Sequence, residues 1–149
     1  MADTYLRIIP ADPVYVPSAL AREKALSVLR RTLPLADEIA AQLTDTIRFV
    51  DCGGNFETVR CPQCGGELGE WWSEVMEIAQ RQSFQDLRVT VPCCRNRTSL
   101  NDLVYSWQAG FARYTLEALN PGVSSLPDTL VRRLEDTVGS AVRVIWAYY

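Results

Sequence analysis

The chain contains no histidine and only one lysine, Lys24. Without an imidazole there is no base for a Ser/His or Cys/His nucleophile, which excludes hydrolytic chemistry of that kind. A catalytic zinc is poorly served too, because it normally recruits histidine or carboxylate ligands and keeps a water position. The single lysine follows no Gly-x-x-x-x-Gly segment, so a P-loop nucleotide site is missing. No apolar run approaches the roughly 20 residues needed to cross a bilayer. The N-terminal Met1-Ala2-Asp3-Thr4-Tyr5 also lacks the basic region and apolar stretch of a secretory signal, so the expected compartment is the cytoplasm.

Positive charge is in short supply as well. Fifteen basic residues face eighteen acidic ones, and the net charge of −3 argues against a sequence-independent grip on phosphate backbones. Nucleic acid is therefore a disfavoured partner. At 149 residues and 48% hydrophobic, the chain is sized for one globular domain with a real core, and residues 1–149 are read as a single domain.

What the sequence does have is sulfur in a tight pattern. Four of its five cysteines form two pairs, Cys61-Pro62-Gln63-Cys64-Gly65-Gly66 and Pro92-Cys93-Cys94. A Cys-x-x-Cys turn followed by glycine lets two thiolates converge on one tetrahedral ion, and the second pair can complete the set. Cys61, Cys64, Cys93 and Cys94 are thus the expected ligands of a structural Zn2+. An all-thiolate site leaves no water position, so its expected work is to hold the fold. Adjacent cysteines in a strand would point to opposite faces, so Cys93 and Cys94 can share an ion only if the chain turns there. If one of them does not ligate, Cys52 is the substitute; otherwise it is a small buried apolar residue. Gly65-Gly66 after the motif argues against the helix start that a thioredoxin-like redox pair needs.

Around these cysteines the chain alternates between helical and strand periods. Tyr5 to Ile9 reads as a strand ended by Pro10, and Ser18 as the cap of a helix carrying Leu26, Leu29 and Leu33. Leu35, Ile39 and Leu43 recur at i, i+4, i+8 and predict a second short helix reaching about Thr44. Ile47 to Asp51 and Phe56 to Arg60 flank Cys52-Gly53-Gly54-Asn55 and predict a hairpin. Glu70 to Gln82 is an amphipathic helix opened by Trp71-Trp72, and Leu87 to Val91 a strand leading into Pro92. Leu103 to Trp107 and Ala112 to Ala118 predict two more strands. A helix with the stripe Leu130, Leu134 and Val138 follows, then a C-terminal strand, Val142 to Tyr148, expected to pair inside the sheet. Hairpins and helices without a βαβ rhythm give an α+β fold: one largely antiparallel sheet with flanking helices and a zinc-ribbon-like site spanning about residues 47–98.

The string Asp51-Cys52-Gly53-Gly54-Asn55-Phe56-Glu57, with Cys61-Pro62-Gln63-Cys64-Gly65, Trp71-Trp72, Pro92-Cys93-Cys94 and Ser99-Leu100-Asn101-Asp102-Leu103, resembles a family of uncharacterised bacterial proteins. The resemblance implies a bacterial cytosolic zinc protein and no particular reaction. From the closed ligand set and the missing histidine, the expected function is non-enzymatic: a small zinc-stabilised protein that binds another protein, in the manner of an immunity protein neutralising a basic toxin. Two alternatives stand beside it. One is a nucleic-acid-binding zinc ribbon using Arg95 and Arg97; the other is an enzyme working through carboxylates such as Asp51 and Glu57 across the expected hairpin.

Overall fold

The computed structural model describes residues 2–149. Its first strand, β1 (Thr4–Pro10), covers the expected segment and ends on proline, which has no N–H to extend a ladder. Ser18 caps α1 (Ala19–Thr32), its hydroxyl oxygen accepting from the Ala21 N–H at 3.1 Å. Ala25, Val28 and Leu29 turn this helix into the core.

The short helix expected from Leu35, Ile39 and Leu43 does not form. Glu38–Val50 is a strand, β2, and Leu35 is 75% exposed. The same apolar residues fit a period of two through Ile39, Ala41 and Leu43, and Thr44, Thr46 and Ile47 beyond them are β-branched. Pairing decides between the two periods. β2 lies antiparallel along β7 (Gly110–Leu119), from Glu38 opposite Leu119 to Val50 opposite Gly110, with a register break between Leu43 and Arg48.

The last two elements appear as expected in kind. Helix α3 (Asp128–Val138) buries Leu130, Leu134 and Val138, and Gly139 closes it at φ +86°. Pro127 occupies the N-cap position. Among the described strands, β8 (Val142–Tyr148) pairs with β1 alone, so it lies at the edge of the sheet and not inside it.

All neighbours in the four-stranded sheet are antiparallel and its order is β2-β7-β1-β8. The connectivity β1-α1-β2, β7-α3-β8 is that of the split βαβ arrangement: β1 and β2 run parallel with β7 between them. A βαβ rhythm is thus present, concealed by the strand that separates its two halves. The α+β reading with an antiparallel sheet holds. Helices α1 and α3 cover one face over Leu6, Ile8, Tyr114, Leu116 and Ala118.

Everything between β2 and β7 is an insertion at one end of this sheet. It comprises β3 (Val59–Arg60), α2 (Gly69–Arg81), β4 (Arg88–Thr90), β5 (Arg97–Ser99), a 3-10 turn Leu100–Asp102 and β6 (Val104–Tyr105). This module has its own core, in which Val59, Leu68, Phe84, Val91 and Leu100 meet Ile47 and Phe111 from the ends of β2 and β7. The expected hairpin around residues 52–55 is absent. Val50 pairs with β7, Val59 and Arg60 pair with β6, and the turn between them docks elsewhere. Gly53 and Gly54 lie against Tyr148, with the Gly54 N–H donating to the Tyr148 carbonyl at 2.6 Å and Asn55 Nδ2 to the Trp146 carbonyl at 3.0 Å. The turn thereby covers the outer edge of β8, which would otherwise present unpaired carbonyls.

Candidate metal centre

Two hairpins of the module carry the cysteine pairs. The first runs from β3 through Cys61-Pro62-Gln63-Cys64-Gly65-Gly66 and returns as Glu67, which bridges Arg60. Within its turn the Cys61 N–H donates to the Gly66 carbonyl at 2.9 Å and the Gly65 N–H to the Cys61 carbonyl at 3.0 Å. Gly65 sits at φ +74°, a conformation that glycine adopts without strain. The second hairpin joins β4 to β5 through Val91-Pro92-Cys93-Cys94-Arg95-Asn96. There the Val91 N–H donates to the Asn96 carbonyl at 3.0 Å and the Arg95 N–H to the Val91 carbonyl at 3.0 Å, with Arg95 at φ +61°. The chain therefore leaves extended geometry at the adjacent cysteines, as their sharing of one site requires.

The four sulfurs of Cys61, Cys64, Cys93 and Cys94 all lie within 4.8 Å of one another. Cys61 and Cys94 Sγ are 3.7 Å apart, and Cys64 and Cys93 Sγ 3.2 Å. A tetrahedral zinc with Zn–S bonds of about 2.3 Å would set its sulfurs about 3.8 Å apart. The cluster brackets that spacing, so the four residues could hold one metal ion. N–H groups point at the sulfurs as well: Gln63 N to Cys61 Sγ and Gly66 N to Cys64 Sγ, both at 3.4 Å, and Asn96 Nδ2 to Cys94 Sγ at 3.2 Å. Such donors are the supporting hydrogen bonds that orient metal-bound ligands.

The sulfurs are not electrostatically alike. Backbone N–H groups of Cys64, then Gln63, bring the Cys61 thiol down to about 7, whereas the hydrogen bond that Cys93 makes with Cys64 pushes its own thiol up to about 12. Cys61 thus gives up its proton readily, whereas Cys93 holds on to its own. Binding of a divalent cation displaces such protons.

Cys52 stands apart. It is 1% exposed in a small apolar cluster with Ile9, Val50, Ala112 and Ile145, and burial raises its thiol pKa. It is absent from the sulfur cluster, so the substitution of Cys52 for Cys93 or Cys94 finds no geometric support. Asp51 and Glu57 do not face each other across a hairpin, since none forms. Asp51 accepts from the Tyr149 hydroxyl at 2.5 Å and lies 3.6 Å from Arg7, while Glu57 is exposed. Trp71 and Trp72 are both half-buried against the module core; Trp72 donates to the Tyr105 hydroxyl at 3.2 Å and stacks on Phe56.

Sequence reasoning missed Val91. It holds the place in the second turn that Cys61 holds in the first, and it is fully buried. Writing the two six-residue turns above one another, Cys-Pro-Gln-Cys-Gly-Gly over Val-Pro-Cys-Cys-Arg-Asn, would have exposed the correspondence.

Gly66 makes the cluster possible. A Cβ there would stand 3.0 Å from Cys93 Cβ and 3.3 Å from Cys64 Sγ. Gly66→Ala is expected to lower metal affinity about 10- to 100-fold, the range seen when the groups supporting ligands are disturbed. Competition against a chromophoric chelator reads this directly, and an unchanged affinity would show that the two turns have slack.

Among the described residues no helix is long and apolar enough to cross a membrane. Compared with protein-family models, curated proteins and solved structures, the chain matches none.

Proposed function

We propose that Cys61, Cys64, Cys93 and Cys94 hold one structural Zn2+, and that the module so clipped together is a binding surface for a basic, extended segment of another protein. The observation that carries the metal half is the convergence of four sulfurs from two equivalent turns to within 4.8 Å. An all-sulfur set favours zinc over magnesium or calcium, which prefer oxygen ligands. The resemblance to bacterial cytosolic zinc proteins belongs to this same reading.

Charge supports the binding half. Residues 51–109 carry eight carboxylates against five arginines, while the rest of the chain balances ten carboxylates with ten basic residues, Lys24 among them, so the whole excess of negative charge sits in the inserted module. On α2, Glu70, Glu74 and Glu77 are exposed in succession. Beside them an open groove of about 720 Å³ runs between Trp72, Met76 and Phe84 on one wall and Ile47 to Phe49 of β2 on the other. β2 is an edge strand whose outer side has no backbone partner among the described residues. An extended segment can add to that edge, place apolar side chains in the groove and set its cations against the glutamates. An acidic surface of this kind would serve an immunity-like role against a basic toxin.

The test uses the zinc-loaded protein and fluorescent extended peptides matched in apolar content but differing in charge. Basic peptides should bind, with affinity falling as salt rises, and Glu74→Lys with Glu77→Lys should weaken binding about tenfold or more. Equal binding of acidic and basic peptides would reject the reading. Arg95 and Arg97 are exposed beside the cysteine cluster and are the residues a nucleic-acid-binding ribbon would use; a salt-sensitive gel shift lost in Arg95→Ala with Arg97→Ala would favour that alternative.

A further inference from the structure

The two turns match in backbone and differ in ligands. Cys61 and Val91 occupy equivalent first positions by their hydrogen bonds to Gly66 and Asn96, and Gly65 and Arg95 are the equivalent left-handed residues. Cys64 and Cys94 therefore correspond, and Cys93 corresponds to Gln63. In the first turn the third position faces solvent, since Gln63 is exposed. Cys93 is exposed likewise, so the ligand missing at Val91 is made up from the outer side of the cluster. This divides the sulfurs into two pairs. Cys61 is buried and Cys94 half-buried, both packed with the module core. Cys64 and Cys93 are both exposed, with their sulfurs 3.2 Å apart.

We propose that Cys64 and Cys93 form a peroxide-reactive pair, a modification site at which hydrogen peroxide makes a disulfide and opens the metal centre. The inference rests on the zinc reading above. Exposure and thiolate character select the sulfurs that oxidise, and metal coordination supplies the thiolate. One sulfur of the pair attacks a peroxide oxygen, the O–O bond breaks, and the departing hydroxide takes a proton from solvent to become water. The sulfenic acid so formed is attacked by the second sulfur, the S–O bond breaks, an S–S bond forms, and a second hydroxide leaves as water after protonation. The two sulfurs together lose two electrons, peroxide gains them, and zinc stays divalent. A disulfide needs an S–S distance of about 2.05 Å, so the two sulfurs must close by about 1.1 Å. Gly66 leaves the space, since its absent Cβ would lie 3.3 Å from Cys64 Sγ and 3.4 Å from Cys93 Sγ. With two ligands consumed, Cys61 and Cys94 alone hold the ion weakly and it leaves.

The experiment treats the zinc-loaded full chain with hydrogen peroxide, follows released zinc with a chromophoric chelator and maps disulfides by mass spectrometry of peptides. The expected result is one Cys64–Cys93 disulfide appearing at the rate of zinc release, with both reversed by a thiol reductant and added zinc. A disulfide linking other cysteines, or zinc release with no disulfide, would overturn the proposal while leaving the zinc reading intact. A protein that never binds zinc would fail the zinc reading separately, and mapping the oxidised metal-free chain would still show whether this pair bonds. As a second variant, Val91→Cys combined with Cys93→Ser moves the ligand to the inner position, and its zinc release under peroxide should be slower by about tenfold or more. Equal rates in a variant that holds one zinc would also count against the proposal.

Discussion

Cys61→Ser should strip the protein of its metal and unravel the inserted module while sparing the four-stranded sheet. Structural zinc sites bind with apparent free energies of about 10–16 kcal/mol in small peptides, and that binding energy is folding energy. Only part of it is lost here, because the module also has an apolar core, so a destabilisation above about 4 kcal/mol is expected. Hydrogen exchange locates the damage. Amides of β3, β4 and β5 should lose protection, whereas those of β1, β7 and β8 should keep most of theirs, since their core of Leu6, Ile8, Leu116 and Leu134 has no residue in the module. Cys52→Ser is the control, placing a hydroxyl in an apolar cluster, and it should lower stability without changing zinc content. Native mass spectrometry showing one zinc in wild type and Cys52→Ser, and none in Cys61→Ser, is the expected pattern. Zinc retained by Cys61→Ser would remove the basis of the metal reading.

Acid should act in the same direction. The Cys61 pKa is lowered on folding from 9.0 to about 7, so its contribution is fully present above the higher value and is lost as pH falls through the lower one. Protons compete with the metal for the other sulfurs as well, and zinc release should therefore rise as pH drops below neutrality.

Gly53→Ala is expected to be the most damaging single methyl group added anywhere outside the cysteine cluster. Gly53 sits at φ +58°, and a Cβ would fall 2.5 Å from the Tyr148 carbonyl oxygen, a backbone atom of a paired strand that cannot swing aside. The turn must retreat, which breaks the Gly54 hydrogen bond to Tyr148 and loosens that of Asn55 to Trp146. Left-handed strain of about 1–2 kcal/mol together with about 1 kcal/mol per lost hydrogen bond gives a loss on the order of 2–4 kcal/mol. Gly65→Ala provides the comparison, since Gly65 lies at φ +74° with nothing within 4 Å of its Cβ position. It should carry the conformational penalty alone, about 1 kcal/mol. Thermal unfolding of the two zinc-loaded variants separates clash from strain; if Gly53→Ala is no worse than Gly65→Ala, the turn does not clamp β8 as described.

The features legible in the sequence share a property: their signal is local. Ser18 as a cap, the stripe Leu130, Leu134, Val138 and the Trp71-Trp72 helix depend on neighbours within a few positions, and each lies where expected. The segment from Leu35 to Leu43 is ambiguous in the sequence because its apolar spacing fits both a helix and a strand, and the partner that decides, β7, lies some seventy residues away at Gly110 to Leu119. The turn at Cys52-Gly53-Gly54-Asn55 has hairpin composition, yet its glycines are there for close approach to Tyr148 at the far end of the chain. Val91 carries no such local signal, because a buried valine just after a strand looks like any core residue until the two turns are compared by hydrogen bonds.

Three conclusions need no tertiary information: four cysteines could meet, histidine-based chemistry is excluded, and helices and an antiparallel sheet share the chain. Those conclusions follow from residue chemistry and short-range spacing. Tertiary structure decided the rest: that β2 is a strand, that the cysteine module is an insertion between β2 and β7 of a split βαβ scaffold, and that Cys64 and Cys93 form the exposed half of the sulfur cluster. The reason is that strand pairing and burial are set by partners remote in sequence, and short-range periodicity carries no record of which remote segment will arrive.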